Sequence, residues 1–113
     1  MAIDKTLLSG STSLMLMKLL AEQDMYGYQM IATLRERSDH TFDLKAGTLY
    51  PLLHSMEQKG FIASWEETAG TARPRRYYHL TDAGRTQLAA KEEEWRMYTK
   101  AVTAVMDGGV CLA

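Results

Sequence analysis

The 113 residues suit one domain plus a short accessory element, and a make-up of 46% hydrophobic and 24% charged residues is ordinary globular material that can bury a small core. A formal net charge of -1 excludes a global pull toward nucleic acid or membrane, so any electrostatic reading has to be local. The lone cysteine, Cys111, has no mate within the chain, which excludes an intrachain disulfide framework and fits a reducing cytoplasm.

In chain order, residues 11–22 (STSLMLMKLLAE) offer serine and threonine as caps and then apolar residues on more than one face. A helix apolar on two faces is sandwiched between two other elements. Leu14 is expected at a subunit contact, and Met15 beside an effector pocket. The apolar run from Leu14 to Leu20 is broken by Lys18 and is too short to span a bilayer, so no membrane partner is expected. A second helix is predicted from about Tyr26 to Arg37, with Met30, Ile31 and Leu34 inward. At its start, Tyr26 is placed within reach of a phosphate, Gly27 where a backbone can approach a duplex, and Tyr28 in the core.

After a connection over Ser38 to Leu44, a third helix is predicted from about Gly47 to Lys59. Leu49, Leu52, Leu53 and Met56 recur at spacings of three and four and define its buried face, and Gly60 stops it. The outward face carries Thr48, Tyr50, Pro51, His54, Ser55 and Gln58. These mostly hydrogen-bonding, uncharged side chains suit a helix that reads base edges and touches phosphate in a major groove. The leading end matters most, because it points into the groove and its free N–H groups attract phosphate. Gly47 lies at that end. Tyr50 can donate its hydroxyl to phosphate while Pro51 stiffens the first turns; alternatively both pack against the preceding helix.

The period then changes to strand-like alternation in FIASWEET and RRYYHLT, separated by AGTARP, where Gly70 and Pro74 signal a turn. Arg73, Arg75 and Arg76 cluster there, and no acidic residue lies between Glu67 and Asp82. Such a loop either grips backbone or minor groove as a wing, or is a solvated loop. Up to residue 80, basic and acidic residues number nine each, so binding through this footprint is expected to be salt-sensitive. Thr81 or Asp82 caps a final long helix. Leu88, Trp95 and Val102 stand seven apart, with Tyr98 and Val105 on the intervening positions, which is a short heptad seam. Trp95 and Tyr98 serve there as dimer core or, with Met15, as the wall of a pocket for a small aromatic ligand.

Helix, helix, helix, two-stranded hairpin and long helix make a winged helix-turn-helix with a dimerisation helix: mainly α, with a small β-hairpin. The predicted division is 1–80 for the DNA-binding domain, 81–107 for the dimerisation helix and 108–113 for a tail. His40, His54 and His79 show no metal-ligand spacing, no Gly-rich phosphate loop is present, and nothing marks an activated nucleophile, so neither an enzyme nor a metal or other cofactor is expected.

GTLYPLLHSMEQKGFI, followed by RRYYHLTDAG and a helix containing EEEWRMYTKAV, resembles the PadR family of bacterial transcriptional regulators. DMYGYQM is similar to the family's second helix and LLSGSTSLMLMKLL to its first. The likeness covers roughly residues 7–109, and the single final helix is that of the smaller branch. The resemblance implies a homodimeric, cytoplasmic repressor, released from its operator by a small molecule in some members. By position it turns Tyr50 and the wing arginines toward DNA, and puts Trp95 where some members hold an aromatic residue beside a drug-binding cavity. The sequence is thus read as a regulator on an inverted-repeat operator of double-stranded DNA, with half-sites ~34–36 Å apart. The alternative is a dimeric small-molecule-binding or protein-interaction module of the same fold that does not bind DNA.

Overall fold

A computed structural model describes residues 10–68 and 73–108. Helices α1 (Thr12–Glu22), α2 (Gly27–Arg37) and α3 (Ala46–Gln58) precede a hairpin of β2 (Ile62–Glu67) and β3 (Arg75–Leu80), and α4 (Asp82–Met106) closes the chain. A two-residue strand, β1 (Met25–Tyr26), lies between α1 and α2. The element order matches the winged helix-turn-helix expectation, with one addition. The hairpin is a three-stranded antiparallel sheet in the order β1-β3-β2, because Met25 pairs with Tyr78 and Tyr26 with Tyr77. Two residues are too few for alternation to register as a strand. Gly70, expected at the hairpin turn, and Cys111 with most of the tail lie outside the described residues.

The core is built from the faces that periodicity marks. Leu16, Leu20, Met30, Leu49, Leu53, Ile62 and Leu80 are fully buried, and each contributes on the order of 1.5–3 kcal/mol by leaving water. Helix α1 is apolar on two sides because α4 runs along one of them and α2 and β3 take another. Its N-cap, Ser11, serves through its carbonyl, which accepts from the Met15 N–H at 3.0 Å, and not through its side chain.

Thr81 ties the layers together. Its backbone N–H donates to the Phe61 carbonyl at 3.0 Å, its hydroxyl lies 2.7 Å from the Gly60 carbonyl, and the same oxygen accepts from the Gly84 N–H at 3.0 Å. One residue thereby caps α4 and fixes its start against the turn after α3. That turn needs Gly60, whose φ of 80° lies in the left-handed region.

Helix α4 is about 37 Å long at 1.5 Å per residue. Its first third packs on the chain and its remainder projects, so the molecule measures 62 × 33 × 20 Å. Leu88, expected on the seam between subunits, belongs instead to the chain's own core at 6% exposure. The heptad register continues through it, but α1 and β3 pack against the start of α4, and Leu88 joins the core cluster there. From Trp95 onward the same register faces solvent. Among the described residues no helix is long and apolar enough to cross a membrane.

Candidate nucleic-acid interface

Helix α3 begins at Ala46, one residue earlier than expected, and Lys45 is its N-cap. Pro51 is therefore the sixth helical residue and not a first-turn residue. Its missing N–H leaves the Gly47 carbonyl without its usual helix partner, and Gly47 is exposed, so solvent can take that carbonyl. The buried stripe of Leu49, Leu53 and Met56 turns Gly47, Pro51, His54 and Gln58 outward as one ridge. Thr48 and Ser55 flank this ridge on one side, Thr48 exposed and Ser55 half-buried. Tyr50 flanks it on the other.

Tyr50 leans across to α2. A Cβ built on Gly27 would collide with its phenol hydroxyl, so the bare glycine is the notch that receives the ring. This corrects the role expected of Gly27: the approaching group is a side chain of the same chain. Burial, with the Tyr28 phenol nearby, pushes the Tyr50 hydroxyl above the usual phenol value, so at neutral pH it is protonated and can donate. Tyr28 is also corrected. Expected in the core, it is 66% exposed, because at 3.6 residues per turn it stands roughly 200° around α2 from the buried Met30.

Tyr26, Tyr28 and Tyr50 line a cleft of about 760 Å³ together with Arg73, Pro74, Arg75 and Arg76. Helix α3, the start of α2 and the hairpin thus converge on one concavity rich in phenol hydroxyls and guanidinium groups, which are donors suited to phosphate oxygens. The Arg75 guanidinium lies 4.5 Å over the Tyr26 ring, Tyr26 meets Tyr77 edge-on at 5.4 Å, and Tyr77 stacks on Trp65 at 5.8 Å. This aromatic ladder holds the arm of the hairpin at a fixed angle. Periodicity identified none of its contacts except as strand composition; the alternation of Trp65 and Tyr77 on facing strands was the available signal.

Arg76 differs from Arg75. Its Nη2 lies 3.5 Å from Glu66, and its Nη1 donates at 2.8 Å to Ser64 Oγ, which itself donates to Glu57 at 2.6 Å. Its charge is partly neutralised within the sheet. On the other seam, Trp95, Tyr98, Val102 and Val105 are 44%, 62%, 41% and 78% exposed, and Trp95 and Tyr98 sit 6.4 Å apart on α4. Leu14 is half-buried on α1. Met15 is not brought to Trp95; it lines a separate cavity with Leu34, Phe42 and Leu52.

Residues 16–90 match the family described as "Transcriptional regulator PadR-like family". A transcriptional regulator of Mycobacterium tuberculosis, Rv3488, is 38% identical over 74 residues, which are 66% of this chain and 65% of that protein. A PadR family transcription regulator of Clostridium difficile has a structure similar to this one at a TM-score of 0.75, with 32% identity over 85% of this chain and 98% of that one. The structure of a transcriptional regulator of Clostridium thermocellum superposes at a TM-score of 0.83, with 28% identity over 88% of this chain and 96% of that one.

Proposed function

Since the chain belongs to the PadR-like family of transcriptional regulators, which are not enzymes, we propose that it is a homodimeric repressor that binds an inverted repeat in double-stranded DNA. The observation that carries this reading is the convergence of three tyrosines and three arginines on the cleft between the head of α3 and the hairpin. In this reading Gly47, Thr48, His54 and Ser55 of α3 address the major groove. Tyr26, Tyr50, Arg73 and Arg75 take backbone phosphates beside it, with Arg76 the weaker contact because Glu66 shares its charge.

Residues 1–80 form the DNA-binding domain in this proposal, and 81–107 the dimerisation helix. The exposed apolar side chains from Trp95 to Val105 support the second assignment, since contiguous apolar patches mark contact surfaces. Leu14 completes the subunit contact. Repression is the sign this reading takes, because a compact DNA binder acts most simply by occupying a promoter.

Mobility shift of the DNA upstream of the gene, at two salt concentrations, tests the reading. Binding is expected to weaken steeply with salt, and Arg75→Ala with Tyr50→Ala to lower affinity on the order of tenfold or more while flattening the salt slope by about one. Wild-type affinity in that folded double variant sinks the assignment of the cleft.

A further inference from the structure

A chain of polar groups runs from α3 to the hairpin and ends on Arg76, which lines the tyrosine cleft. Glu57, near the end of α3, accepts from Ser64 Oγ of β2 at 2.6 Å, and the same oxygen accepts from Arg76 Nη1 of β3 at 2.8 Å. The other terminal nitrogen, Nη2, lies 3.5 Å from Glu66. We infer that Glu57 and Ser64 are positioning residues that aim Arg76 at a phosphate of double-stranded DNA, and that Glu66 is a restraint which the phosphate displaces. The DNA partner rests on the function proposed above; the positioning of Arg76 does not.

Strand register makes the arrangement. β2 and β3 pair Glu66 with Arg76 and Ser64 with Tyr78. Side chains alternate along a strand, so Ser64, Glu66, Arg76 and Tyr78 share one face while Trp65 and Tyr77 take the other. Glu66 is thus the direct cross-strand neighbour of Arg76, and Ser64 the diagonal one. Helix α3 packs on β2, which brings Glu57 to Ser64. Tyr78, buried on this face, stays neutral, because burial pushes its hydroxyl above the usual phenol value, so no phenolate competes for the guanidinium.

The two contacts on Arg76 do different things for a phosphate. The Ser64 hydroxyl is neutral. By donating to Glu57 it turns its lone pairs toward Arg76, and a hydroxyl bonded to a carboxylate is a stronger acceptor. It therefore fixes the direction of the guanidinium and leaves its charge whole, and a guanidinium has more N–H donors than these contacts use. Glu66 carries the same sign as phosphate and competes with it for Nη2. That pair is long and both side chains are about half exposed, so it is weak and readily exchanged. Two acids thus act on one arginine in opposite senses: Glu57 supports the arm through Ser64, and Glu66 holds it back. Because Glu57 belongs to α3, the helix that addresses the groove also aims the arginine of the hairpin.

Mobility shift of the full chain on the DNA upstream of its gene, with arginine side-chain NMR on the DNA-free chain, tests the assignment, each variant being checked for folding by circular dichroism. Glu66→Gln is expected to tighten binding about two- to fivefold and to steepen the salt slope by up to about one. Ser64→Ala, which alters no charge, is expected to weaken binding about threefold or more, and Ser64→Thr, which keeps the hydroxyl, to restore it. Glu57→Ala is expected to weaken binding too, although it removes an acid. In an Arg76→Ala background these changes are expected to lose their effect. In the DNA-free chain the Arg76 guanidinium signals, identified by their loss in Arg76→Ala, are expected to report hindered rotation in wild type and free rotation in Ser64→Ala. Glu66→Gln that binds no tighter than wild type overturns the restraint. Ser64→Ala that binds as wild type, Glu57→Ala that binds tighter, or effects that persist in the Arg76→Ala background overturn the positioning. Absence of any wild-type DNA binding overturns the proposed function, and the Arg76 rotation then decides the positioning on its own.

Discussion

Tyr50 illustrates how one side chain depends on another's absence. Its phenol fits only because residue 27 has no Cβ, and an alanine there would gain helix propensity while evicting the ring. Gly84 has the same lack of room for a different reason, since its Cβ would meet the Phe61 carbonyl, which is backbone, and Leu80 behind it. The two glycines therefore predict opposite outcomes. Gly27→Ala is expected to stay within about 1 kcal/mol of wild-type stability, because the obstacle is the far end of a side chain, yet to lose DNA affinity in a mobility shift. Gly84→Ala is expected to lose about 1–3 kcal/mol, read as a fall of roughly 4–8 °C in Tm per kcal/mol. Equal Tm losses in the two variants would contradict this account of Tyr50.

At the scale of elements, two exposed ion-pair groups fasten α2 to its neighbours. Arg37 pairs with Glu22 at the end of α1, donating through Nη1 at 2.9 Å as well as through Nη2, and Asp43 joins Arg35 to Lys45 at the entry of α3. Arg37 holds the Glu22 carboxyl below its ordinary 4.5, and Lys45, then Arg35, hold Asp43 below 3.8. A carboxyl lowered in the folded state contributes stability that is complete above its unfolded value and is lost as pH falls through the folded one. Glu22→Gln is thus expected to lower Tm slightly at pH 7, with the difference from wild type shrinking as pH falls below the ordinary glutamate value of 4.5. A difference as large at pH 3 as at pH 7 would show that the pair has another role. Being solvent-accessible, these pairs are also expected to weaken in high salt.

For the whole molecule, the projecting part of α4 is the feature a single copy leaves unexplained. The four side chains of the heptad register, Trp95, Tyr98, Val102 and Val105, are each more than 40% exposed, and contiguous apolar patches of this kind mark contact surfaces. The proposed two-fold contact predicts that Tyr98→Glu with Val102→Glu converts the species seen by analytical ultracentrifugation from dimer to monomer. DNA affinity is expected to fall with it, since each half-site is then held by one copy. A double variant that sediments like wild type would remove α4 as the dimerisation helix.

How much was legible beforehand follows from range. Spacings of three and four among Leu49, Leu53 and Met56, alternation in the hairpin and the glycine after α3 are local signals, and each led to its element within a residue or two. Family membership, too, was written in the order of the motifs. What escaped were facts set by meetings between distant segments. The strand at Met25 exists because β3 offers it an edge, and Leu88 is buried because α1 lies against the start of α4. Met15 and Trp95, both apolar and both candidates for one pocket, part company because they face different sides of the fold. A sequence prescribes which faces must leave water; only the packed chain decides which neighbour covers each of them, since burial is non-directional and any apolar surface of suitable shape will serve.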